Sequence, residues 1–233
     1  MYLAIDIIIC VVLLATVLGA WKRGFIRTVF QLCSTVVSVL LAIFFHEQLG
    51  AFFYDSFVYG ALAPHIESLT GQIITAVGGS LDFNALAEKL PENIVTLAET
   101  FNIDLAAFLE DAVQSVNAGG ESFAEVGREL AVTLSTSAAN ILAFAAIFFG
   151  GMILLSVACF ILDKVADLPV LHGVNRFLGF ALGVLEAAIL GIVLSKLAAT
   201  VCSVYASIAS DFAFGDVANG TYIAKFFLDI SPW

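Results

Sequence analysis

Four long apolar runs, residues 2–20, 25–45, 141–162 and 177–200, constrain this chain more than any other feature. Each holds about 19 to 24 residues, and a helical rise of 1.5 Å per residue carries that roughly 28–36 Å. The hydrocarbon core of a bilayer is about 30 Å thick, so each run is long enough to cross it with some tilt. A soluble surface cannot be built around them. Apolar residues make up 61% of the chain and charged residues 12%, against roughly 45–50% and 25% in soluble domains. The expected fold is an all-α integral membrane protein with four transmembrane helices, paired as 2 + 2 hairpins. The first run is read as a retained span rather than a signal peptide, because Asp6 stands where a basic region belongs and no A-x-A site follows.

The charge is segregated. Residues 46–137 hold thirteen acids and two bases, Lys89 and Arg128, a net of −11, while the remainder is neutral. The expected organisation is a first hairpin at 1–45, an acidic helical insert at 46–137, a second hairpin at 138–205 and a tail at 206–233. Orientation follows from the bases in the short links. Lys22 and Arg23, with Arg27 one turn on, and Lys164 and Arg176 mark the cytoplasmic side. The insert, the tail and both termini are then extracytoplasmic. With nine Lys and Arg against twenty Asp and Glu, nucleic acid is not an expected partner.

The insert reads as short helices. Pro64 suits a first turn ahead of 65–77, with Gly78-Gly79 as a stop. Asp82 caps a helix through Leu90, and Pro91 opens another over 92–101. Asp104 is the expected N-cap of 105–116, closed by Gly119-Gly120, with Leu105, Phe108, Leu109 and Ala112 as its apolar stripe. The acidic faces are read either as solvated surface or as a cation-attracting or partner-docking face. In the tail, Tyr222, Phe226, Phe227 and Trp233 are candidate interfacial anchors.

Inside the spans, Arg27, Gln31, Ser34 and Ser38 recur at +4, +3 and +4 and form one polar face on the second helix. Lipid would make that face costly, so it should turn to the bundle or to water. Gly179, Gly183 and Glu186 share a face of the fourth helix, and a Gly-x-x-x-Gly pair lets a neighbouring backbone approach closely. Glu186 and Ser34 each lie nine residues into their spans, about 14 Å deep, which makes Ser34 or Gln31 the expected partner of Glu186. By the same arithmetic Asp6 and Lys196 are an expected pair near the outer leaflet. An intramembrane carboxylate is read either as a proton or cation site or as a packing residue.

Cys10, Cys33, Cys159 and Cys202 fall in or at the spans, without C-x-x-C spacing, and His46, His65 and His172 are dispersed. No phosphate-binding loop, nucleophile elbow or zinc motif is present. No enzyme activity, cofactor or metal is therefore expected.

The opening Ile5-Asp6-Ile7, the turn Arg23-Gly24-Phe25-Ile26-Arg27, and Asn175-Arg176-Phe177-Leu178-Gly179 with Gly183 together resemble the colicin V production protein (CvpA) family. Asn219-Gly220-Thr221-Tyr222 looks like the polar stretch that follows the last span there. The resemblance covers residues 1–45 and about 140–233. It implies a bacterial inner-membrane protein tied to toxin production or export and to envelope stress. Gly24 would then permit a tight hairpin, Arg23 and Arg27 would reach phosphates, Asn175 would cap the last helix, and Gly179 and Gly183 would allow packing. Two functions follow as alternatives. One is an accessory or scaffold protein acting through the bilayer, a homo-oligomer or an envelope or export partner. The other is a small oligomeric channel or transporter with its polar path along the second span.

Overall fold

The structure, a computed structural model, describes residues 2–77, 92–118, 122–163, 172–208 and 220–230. Every element among them is a helix. The helices are α1 (Tyr2–Arg23), α2 (Phe25–Phe53), α3 (Tyr59–Val77), α4 (Glu92–Thr100), α5 (Leu105–Asn117), α6 (Phe123–Asp163), α7 (His172–Ile208) and α8 (Ile223–Ile230). A π-helical turn, Tyr54–Val58, joins α2 to α3. Four helices are long and apolar enough to cross a membrane, within Tyr2–Arg23, Phe25–Ser68, Ala124–Ala158 and Asn175–Ala206. Lys164, the helix expected over 82–90, the stops at Gly78-Gly79 and Gly119-Gly120, Pro91, Asn219, Trp233 and the side chain of Cys159 lie outside the described residues.

The chain divides into two compact units. The first gathers residues 1–48, 143–198 and 218–232. Its α1, and its portions of α2, α6 and α7, run about 31 to 40 Å each at 1.5 Å per residue, close to a hydrocarbon core of about 30 Å. Its outer faces are apolar. On α1, Leu3, Ile7, Val11, Leu14 and Leu18 are each more than half exposed and follow at +4, +4, +3 and +4, a continuous stripe suited to lipid. Inside, Ala42, Phe148, Leu190 and Val193 form a core against which Val12, Val39 and Phe144 pack.

The second unit holds 49–142 and 199–217. Val58, Leu62, Ile66, Ile94, Leu97, Leu130 and Leu134 are among the buried side chains of its own core. Two sequence expectations change here. Pro64 lies inside α3 rather than at a helix start. The ring removes one ladder bond, yet Leu62, Ala63 and Ile66 are at most 4% exposed on either side of it, and that burial holds the helix together. The helices of the second hairpin also overrun their apolar runs, since α6 starts at Phe123 and α7 ends at Ile208.

Local stops are explicit. Asn102 has φ +54 and ends α4, with Ile103 N–H donating to the Ala98 carbonyl at 2.9 Å and Asn102 N–H to that of Glu99 at 3.0 Å. This is a Schellman end with Asn in the left-handed position, and Ile103 packs on the core beside it. Asp104 then caps α5, accepting the Ala107 N–H at 3.0 Å. Leu109 is buried, and Leu105 and Phe108 pack against the core. At the start of α6 the Glu125 carboxylate accepts both the N–H and the hydroxyl of Ser122, at 2.6 and 2.8 Å. The S-x-x-E spacing behind that contact is a capping-box signal that the sequence reading passed over.

Candidate functional site

Two of the motifs that carry the family resemblance, Arg23–Arg27 and Asn175–Gly179 with Gly183, converge on one joint in the first unit. Gly24 is the single residue between α1 and α2, with φ +82, a conformation that costs an L side chain about 1–2 kcal/mol. Its N–H closes α1 on the Ala20 carbonyl at 3.0 Å, and its carbonyl opens α2 by accepting the Thr28 N–H at 3.1 Å. The Thr28 hydroxyl, 1% exposed, donates to the same Gly24 carbonyl at 2.8 Å. Thr28 was not singled out from the sequence, since a threonine in an apolar run carries no pattern of its own.

Asn175 completes the joint from an unexpected side. It sits within α7 instead of capping it, and its Oδ1 accepts the N–H of Phe25, 150 residues away, at 2.7 Å. The first N–H groups of a helix lack intrahelical partners, and α2 begins with no residue of its own to satisfy them. A Cβ on Gly24 would fall 2.5 Å from Asn175 Nδ2. Gly179 brings α7 onto the same turn, where a Cβ would lie 2.9 Å from the Ala20 carbonyl oxygen and from the Gly24 carbonyl carbon. A Cβ on Gly183 would overlap that of Ala20, which is fully buried.

A polar chain rises from this joint. Arg23 Nη1 donates to Gln31 Oε1 at 2.9 Å, and the Gln31 amide donates to the Glu186 carboxyl. Glu186 is 3% exposed, and its Oε2 has no hydrogen-bond partner among the described residues. Gln31, one of the two partners offered by the depth arithmetic, stands at Glu186. Arg23, expected to reach lipid phosphates, is exposed and spends one of its guanidinium donors on Gln31. Arg27 is exposed at the start of the stripe.

The rest of the stripe is sealed. Ser34, Thr35 and Ser38 are 5%, 0% and 0% exposed. Each donates its hydroxyl to the carbonyl four residues back on α2: Ser34 to Phe30 at 2.9 Å, Thr35 to Gln31 at 3.1 Å and Ser38 to Ser34 at 2.8 Å. Small hydroxyl side chains in a helix commonly satisfy themselves this way. α6 closes over Ser38, for a Cβ on Gly151 would lie 3.1 Å from its Oγ.

Asp6 does not pair with Lys196. Its carboxylate instead caps α8, accepting the N–H groups of Tyr222 at 2.8 Å, Ile223 at 3.0 Å and Ala224 at 3.3 Å. Three backbone donors converging on a helix N-terminus satisfy a carboxylate better than one flexible ammonium at a similar depth. The depth estimate could not foresee them, because nothing in it brings the tail back onto α1. The docking is close, with Phe227 against Gly191 and the Tyr2 ring against Gly220.

Among the described residues, no three His, Cys, Asp or Glu side chains gather as metal ligands. Lys22 and Arg176 are exposed beside the Gly24 joint, where Trp21 meets Phe180 edge-on at 5.8 Å.

No curated protein and no solved structure matches this chain. The family model described as colicin V production protein matches residues 5–211, a stretch that takes in the Gly24 joint, the stripe, the acidic insert and all of α7. The chain therefore belongs to the colicin V production protein family.

Proposed function

We propose that this protein is an accessory or scaffold component of colicin V-type toxin production or export, and of envelope homeostasis, in the bacterial inner membrane. Family membership supports the role in colicin V production. The observation that carries the scaffold reading over a channel is the sealing of the α2 stripe. Ser34, Thr35 and Ser38 are at most 5% exposed and bonded within their own helix. A water path needs polar groups that water can reach. The protein acts through contacts with the bilayer, with further copies of itself or with envelope or export proteins, and performs no catalysis. Lys22, Arg23 and Arg176 set the Gly24 turn on the cytoplasmic side, which leaves both termini outside.

The channel alternative retains one observation in its favour, the buried and unpartnered Oε2 of Glu186. Ion and proton flux through proteoliposomes of the full chain separates the two. The scaffold reading expects flux equal to that of empty liposomes, together with toxin export retained in a Ser34→Ala/Ser38→Ala strain. Flux above background that the double substitution abolishes contradicts it.

A further inference from the structure

Beside the Gly24 joint, a cleft of about 290 Å³ is lined by Leu18, Trp21, Lys22 and Arg176. At roughly 30 Å³ per water, that is room for a phosphate ester. Both charged residues of the lining are basic. Neither Lys22 nor Arg176 has an ion-pair or hydrogen-bond partner among the described residues. Arg23, their neighbour, already donates to Gln31. Its guanidinium lies 2.9 Å from where a Cβ on Gly19 would stand. Among the described residues, the polar side of the cleft therefore consists of two cations without counter-ions.

The other side is apolar and faces out. Leu18 is 53% exposed and Trp21 49%. Leu18 ends the α1 stripe that runs from Leu3 through Ile7, Val11 and Leu14. A turn between two membrane helices lies at the interface, where a tryptophan ring is at home. A ligand in this cleft meets paired positive charge at its head and a lipid-facing apolar track leading away from it.

We propose that this cleft binds an anionic phospholipid. Lys22 and Arg176 hold the phosphate, and an acyl chain follows Trp21 and Leu18 along α1. Basic pockets between membrane helices recognise acidic head groups by this chemistry, with each cation adding to the preference. A soluble phosphate would satisfy the two cations but leave the apolar track unused, and that difference separates the two sources.

The test uses the full chain carrying Trp233→Phe, so that Trp21 is the remaining tryptophan, reconstituted in phosphatidylcholine vesicles. Quenching of Trp21 is titrated with phosphatidylglycerol or phosphatidylcholine brominated on the acyl chains. The expected result is a preference for the anionic lipid of roughly tenfold. Lys22→Gln/Arg176→Gln should erase the preference, and Lys22→Arg/Arg176→Lys should keep it. Circular dichroism of each variant shows that the helices persist. Equal quenching by the two lipids overturns the proposal, and so does a preference that survives the double Gln substitution. Loss of the preference on adding millimolar inorganic phosphate reassigns the cleft to a soluble anion and overturns it as well.

Discussion

Two joints in the first unit solve one problem with different materials. At the Gly24 turn, Asn175 reaches across 150 residues to satisfy the start of α2. At the tail, Asp6 reaches across 216 residues or more to satisfy the start of α8. The first joint is built of small residues, with Gly24, Gly179 and Gly183 letting backbones touch. The second is built of one charge and of aromatic rings laid on glycines, Phe227 on Gly191 and Tyr2 on Gly220. The difference follows from what is being held. α2 and α7 are long helices whose packing is decided along their whole length, so a neutral amide and close contact suffice. α8 has eight residues, too few to stand alone in water, and depends on a full charge at its N-terminus and on its rings.

That comparison ranks the effects of substitution. Gly183→Leu drives a side chain into Ala20 and should lower bundle stability by about 3 kcal/mol, read as an earlier midpoint in SDS unfolding. Gly24→Ala combines a left-handed backbone with contact on Asn175 and should cost about 2 kcal/mol. Asp6→Ala strips three N–H groups of their acceptor, a loss of about 2 kcal/mol confined to the tail. Hydrogen exchange should show it as faster exchange at 222–224 with the α1–α2 amides unchanged. Spread of that effect to the Gly24 joint would show that the two joints are one cooperative element. Asn175→Ala should cost about 1 kcal/mol and speed exchange at Phe25 alone. Ser38→Ala removes a hydroxyl bonded to its own helix and should shift the midpoint by no more than about 0.5 kcal/mol.

Much of the first joint was legible because glycine spacing and helix faces are local properties. Gly179, Gly183 and Glu186 share a face by periodicity alone, and depth arithmetic placed Ser34 or Gln31 within reach of Glu186. The destinations of Asn175 and Asp6 were not legible. A side chain that caps a helix 150 or 216 residues away leaves no trace in its own neighbourhood. Asn175 read locally as a cap for the last span, and Asp6 read by depth alone as a partner for Lys196. Pro64 misled for the related reason that a ring which ends a lone helix is tolerated where Leu62 and Ile66 are buried around it. In the insert, Asp104 was legible because its cap lies three residues away.

A scaffold requires the α2 stripe to be closed to water, and cysteine accessibility reads that closure. In a chain whose four native cysteines are replaced, single cysteines at Ser34 and Ser38 are treated with a small, membrane-permeant thiosulfonate, beside one at the exposed Ser122. A closed stripe gives fast labelling at 122 and essentially none at 34 and 38. Labelling at 34 and 38 as fast as at 122 would contradict it and place water along the second span.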